Sequence, residues 1–243
     1  MADEPQPDGG DRLGISRRRG ERWGDFAARV GEAFGLVLLL LLGTYVLGSL
    51  TPSQGWTGSL TILVAVTAGV VALASANARL SVVRAAAVLA AAAVIFAVLS
   101  AISDERWPLG VSGLVTALLL LIAAGAVLRT VVSASQVGFR TILGAISVYV
   151  ILGLLFSFLY VALDRIQGSP FFGAGTTVQD GDTLLFSFYT LTTTGYGNLV
   201  PAGQPGKLFA GLEMLMGNIF LVTLVAGLVS LWRPGTFRRR QNS

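Results

Sequence analysis

Six stretches of this chain, 33–50, 58–76, 81–101, 109–128, 141–163 and 206–231, are apolar for long enough, or nearly so, to cross about 30 Å of hydrocarbon. No other feature restricts the fold as strongly. A bilayer core offers no water to backbone amides and carbonyls, so segments of this kind close their hydrogen bonds internally, as helices. The composition, 53% hydrophobic and 12% charged, excludes an ordinary soluble domain. The expected class is an all-α membrane protein with six transmembrane helices. The first stretch is too long, and too far from the N-terminus, for a cleaved signal, and is expected to be retained.

Orientation follows from the basic residues. Placing both termini inside assigns 14 of the 17 Lys and Arg to the cytoplasm and leaves Arg106, Arg165 and Lys207 outside. The net charge of +4 thus reflects topology, and no nucleic-acid partner is expected. The chain has no Cys and no His, which removes disulfides, thiolate metal sites and Ser-His or Cys-His nucleophiles. No phosphate-binding glycine loop is present either. Neither enzymatic activity nor a cofactor is expected.

Between the fifth and sixth stretches lies Thr192-Thr193-Thr194-Gly195-Tyr196-Gly197-Asn198. Residues 182–193 before it read as a helix of about 12 residues, roughly 18 Å, which reaches only partway into a bilayer. It is a re-entrant candidate, with Asp180 or Asp182 able to cap its start. Its C-terminal end would direct a negative partial charge at whatever follows. Gly195 and Gly197 can adopt positive φ without a Cβ penalty, so successive carbonyls can share one side of the chain. Irregular backbone at membrane depth is tolerated where it is buried in protein or lines a water path.

In this setting the Thr-Thr-Gly-Tyr-Gly core resembles the selectivity filter of tetrameric potassium channels, where rings of carbonyls replace the hydration shell of the ion. The resemblance covers residues 141–231 and is specific from 182 to about 225. It implies a homotetramer with 141–163 as outer helix, 206–231 as inner helix and the filter at the outer face. It also implies K+ as the permeant ion. Its ligands would be the hydroxyl and carbonyl of Thr193 and the carbonyls of Thr194, Gly195, Tyr196 and Gly197, with metal sites at Thr193, Thr194, Gly195 and Tyr196.

Three positions depart from the family pattern. Thr194 stands for Val and brings a hydroxyl that needs a partner. Asn198 stands for Asp and removes a charge at the mouth. Leu185-Phe186 occupies the place of a Trp pair that braces the filter in many relatives. On the inner helix, Gly217 lies where relatives often hinge, or else marks close helix contact. Glu213, a carboxylate in an apolar span, is a functional candidate or an acceptor for Ser187, Thr190 or Tyr189 behind the filter. Asn218 shares a stripe with Leu221 and Val225 that would face the central cavity or bond a neighbouring helix.

The fourth stretch carries no charge, with Arg129 only at its end, so it lacks the several gating charges that steep voltage dependence needs. Residues 33–128 read as a four-helix scaffold, with ligand or lipid sensing as the other reading. The division is then a basic segment 1–32, the scaffold, a linker 129–140, a pore domain 141–231 and a basic tail 232–243. From the first segment into the first span, Trp23, Phe26, Ala27, Val30 and Phe34 recur at helical spacing, as an interfacial helix or a basic flank. The expected function is passive K+ conduction across a bacterial inner membrane. A weakly selective cation channel and a non-conducting membrane scaffold are the alternatives.

Overall fold

The protein is represented by a computed structural model that describes residues 34–50, 56–103, 105–134, 138–167, 170–173 and 181–231. Among these residues it forms seven helices: α1 Phe34–Leu50, α2 Trp56–Ser75, α3 Leu80–Ile102, α4 Trp107–Val132, α5 Phe139–Ile166, α6 Asp182–Leu191 and α7 Gln204–Leu231. Five of them, α2, α3, α4, α5 and α7, are long and apolar enough to cross a membrane. With 17 residues, α1 is about 25 Å long, just under the usual span. The chain is an all-α, multi-pass membrane protein. The segment before Phe34 and the tail after Leu231 lie outside the described residues.

Each spanning helix begins one or two residues before its apolar stretch, because helix continues into the interface where polar and aromatic residues are at home. Both α2 and α4 open on an exposed Trp, Trp56 and Trp107, the residue type favoured at headgroup depth. Pro108 stands in the first turn of α4, where its missing N–H costs nothing. The end of α2 is closed by Asn77 at φ 49°, with Ala78 N–H donating to Leu73 O. That six-to-one bond around a left-handed residue caps the orphan carbonyls of the last turn.

Packing ranks the helices. The apolar window of α5 is 72% buried, against 17% for α3 and for α7, so α5 is the internal post and the other two are peripheral. Small residues bring α3 close to its neighbours: Ala86, Ala93 and Ala97 are buried, Ser112 donates to Ala93 O and Ser59 to Ala97 O, both at 2.8 Å. Hydroxyl-to-carbonyl bonds across small residues replace the hydrophobic drive that lipid removes. Tyr45 of α1 meets Phe188 of α6 edge to face at 4.8 Å, and the Arg140 guanidinium stands 5.3 Å from the Phe34 ring.

Candidate functional site

The short helix α6 starts at Asp182, as expected. Gly181 occupies the N-cap at φ 93° and makes no side-chain cap bond; its carbonyl instead accepts from Leu184 and Leu185 N–H. Asp180 lies outside the described residues. The helix also ends at Leu191, two residues earlier than its pattern suggests. Thr193 is the reason. It sits at φ 56°, Thr194 N–H donates to Tyr189 O at 2.8 Å and Thr193 N–H to Thr190 O at 3.0 Å. This is a Schellman ending with Thr in the left-handed position usually held by Gly, so the first residue of the loop is also the helix's C-terminal cap.

From there φ alternates: positive at Thr193, at Gly195 (53°) and at Gly197 (79°), but not at Thr194 or Tyr196. The amides of Thr192, Thr193, Thr194 and Gly195 all turn back to carbonyls of α6. The carbonyls of residues 193–197 accept no hydrogen bond from any described residue. The donors of the first half of the loop are thus tied behind it while its acceptors stay free of the described residues. Residues 193–198 are all exposed on the single chain, Tyr196 to 71%. The Thr194 hydroxyl finds its partner at Thr192 Oγ1, 2.8 Å away; Thr192 commits its own proton to Phe188 O, so Thr194 is the donor.

The two residues of the Leu185-Phe186 pair lie in different surroundings. Leu185 is 41% exposed, and Phe186 is buried in an aromatic cluster with Tyr160, Phe171, Phe172 and Tyr189. Tyr189 is the brace. Its ring meets Tyr196 edge to face at 5.7 Å, and its hydroxyl donates to Leu199 O at 2.8 Å beyond the loop. The chain after the loop is pinned further by Ala202 N–H to Phe171 O and Gly173 N–H to Val200 O, while Asp164 accepts from Phe171 N–H at 3.0 Å.

On α7 the candidates separate. Glu213 is fully buried; its carboxyl group lies 2.5 Å from Ser187 Oγ and accepts from Tyr160 Oη at 2.6 Å, and among the described residues it makes no bond to Thr190 or Tyr189. Gly217 is buried against the end of α6: a Cβ there would land on the Leu191 carbonyl oxygen and lie 2.9 Å from Leu191 Cδ1. Of the two readings of Gly217, this geometry is close helix contact. Asn218 and Leu221 are exposed, along with Leu215, Ile219, Val222 and Val225. Tyr149 adds a tie that the sequence reading lacked, from its hydroxyl to Leu191 O at 3.2 Å, with its ring stacked on Phe220. Tyr149 and Tyr160 could have been suspected, since a Tyr in an apolar span needs a partner for its hydroxyl.

Comparison with known proteins agrees with this geometry. The model of the ion channel family matches residues 144–233. Two pore potassium channel c of Oryza sativa subsp. japonica is 38% identical over 82 residues, which are 34% of this chain and 17% of that protein. The chain therefore spans only a small part of that relative. No solved structure gives a significant match. An ion channel transports rather than catalyses, which fits a loop built from free carbonyls instead of reactive side chains. The segment that holds most of α5, α6, the 192–198 loop and α7 is thus similar in sequence to the ion channel family and to a potassium channel.

Proposed function

We propose that four copies of this chain form a potassium-selective pore, with residues 193–197 of each supplying one quarter of the carbonyl rings. One observation carries the reading: φ alternates at 193, 195 and 197 while the amides of Thr193, Thr194 and Gly195 are tied to α6 and the carbonyls of 193–197 are left unpaired by the described residues. Free carbonyls at membrane depth are costly unless a cation or water occupies them. The exposure of the loop and of the apolar face of α7 supports assembly with further copies, since one chain cannot enclose an ion by itself. K+ is the permeant ion, with membrane lipid around the assembly. Alongside this we propose six spans with α1 as the first, both termini cytoplasmic, the inner membrane of a bacterium as location, and the division into scaffold and pore given above.

Reversal potentials in liposomes under opposed K+ and Na+ gradients test the proposal. A reversal near the potassium equilibrium value is expected. A value near zero indicates the weakly selective channel, and absence of current indicates the scaffold.

Two results are expected of the conducting assembly. Conductance should vary weakly with voltage, because the described part of α4 carries a single cation, Arg129, in its last turn. A conductance–voltage curve as steep as that of arginine-rich channels overturns the scaffold reading of residues 33–128. Tyr189→Phe should lower K+ over Na+ selectivity, since each subunit loses a loop-anchoring bond worth about 0.5–1.5 kcal/mol. Unchanged reversal potentials in that variant would remove Tyr189 as the brace.

A further inference from the structure

We propose that Glu213 is held as a neutral carboxylic acid, and that in this form it positions α6, and with it the loop 193–197, against α5 and α7. Three oxygen–oxygen contacts run in series: Tyr160 Oη to Glu213 Oε2 at 2.6 Å, Glu213 Oε1 to Ser187 Oγ at 2.5 Å, and Ser187 Oγ to Gly153 O at 2.6 Å. Each contact requires one proton between its two oxygens. Tyr160 and Ser187 bring one apiece, and the Gly153 carbonyl has none to give. The third proton therefore sits on Glu213. The order of donation is then complete: Tyr160 to the carboxyl oxygen Oε2, the acid's Oε1–H to Ser187, and Ser187 to Gly153.

A carboxylate breaks this order. Ser187 would have to turn its single proton to Glu213, leaving two lone-pair oxygens facing each other across the Gly153 contact. The surroundings offer an anion nothing in exchange. Glu213 is 0% exposed, no described Lys or Arg pairs with it, and its partner Tyr160 is enclosed by Phe156, Phe171 and Phe186. An unpaired buried charge neutralises sooner than it persists in such a place.

The route of the series explains what it does. Gly153 and Tyr160 are about two turns apart on one side of α5, so the chain of bonds leaves α5, passes through α7 at Glu213 and α6 at Ser187, and returns to α5. Ser187 lies two residues before Tyr189, whose carbonyl receives the Thr194 and Gly195 amides and whose hydroxyl holds Leu199. The three-helix clasp thus sets the position of the residue from which the loop hangs. This positioning role rests on the reading of 193–197 as the filter; the protonation of Glu213 does not.

The test uses the full chain. Infrared spectra of the parent at neutral pH should contain a protonated-carboxyl stretch that Glu213→Gln removes and Tyr160→Phe shifts. Gln keeps all three bonds, accepting from Tyr160 and donating to Ser187, so Glu213→Gln should melt and select ions as the parent does. Glu213→Leu strands the buried Tyr160 hydroxyl and cuts Ser187 off from α7, and should lose about tenfold or more in K+ over Na+ selectivity, or fail to assemble. If no carboxyl band disappears in Glu213→Gln, or if that variant is as impaired as Glu213→Leu, the proposal is overturned. Where Glu213→Leu does not assemble, Glu213→Gln against the parent still decides. A parent that shows the band yet passes no current refutes the conduction reading and leaves the neutral acid standing.

Discussion

Gly195→Ala is expected to cut potassium flux by about a thousandfold, since left-handed backbone costs a Cβ-bearing residue roughly 1–2 kcal/mol and four subunits pay it together. Within its own chain the effect is one of backbone conformation: a Cβ at Gly195 would meet no atom of that chain within 4 Å, and the penalty arises from φ 53°. Thr193 shows how a side chain can be held at such an angle: two strong bonds at the end of α6 enforce it. Gly195 has only the 3.3 Å bond to Tyr189 O, and should relax out of the alternating pattern once alanine replaces it. Flux into liposomes loaded with assembled variant is the measurement. Undiminished selective flux from properly assembled Gly195→Ala protein would sink the filter assignment.

Gly217→Ala should destabilise the assembly, and the sign of the change is what matters. Were Gly217 a free hinge, alanine would favour the helix by about 1 kcal/mol per chain and raise the melting temperature. The added methyl instead falls on the Leu191 carbonyl, part of the backbone that ends α6. Backbone cannot rotate aside as a flexible side chain can, so α7 has to shift. Overpacking of this kind costs about 1–3 kcal/mol per chain, several times that for an assembly of four. A thermal melt of the purified protein reads the result. Equal or higher stability in Gly217→Ala would restore the hinge reading.

The spanning helices were legible because apolar length is a property of the sequence alone, and α2 to α5 and α7 agree with it to within a few residues at each end. The glycines of the loop were legible for the same local reason: positive φ selects Gly, and Gly195 and Gly197 both adopt it. Thr193 was not, since nothing in a threonine signals a left-handed helix ending; that conformation is imposed by bonds to Tyr189 and Thr190. Nor could the cap of α6 be read, because Asp182 is a favourable residue at the start of a helix whether or not it bonds the backbone. For Glu213, burial in a span pointed to a partner on α6, and Ser187 was among the three named. Tyr160 was not, because it lies 53 residues away on a helix whose neighbours only the tertiary packing reveals. Leu185 and Phe186 entered through likeness of position, and position said nothing of which way each side chain would turn.

The exposed edge formed by residues 193–198 has a genetic consequence. The loop presents its acceptors outward, and the carbonyls of 193–197 are satisfied by no described residue of its own chain. In the proposed tetramer a single altered loop spoils the ring it joins. Co-expression of equal amounts of the parent and Gly195→Ala chains would then leave only about one assembly in sixteen wholly intact, so the allele should behave as dominant. Alleles confined to the exposed side of α3, which is peripheral and holds its neighbours by backbone carbonyls, should by contrast be recessive or silent.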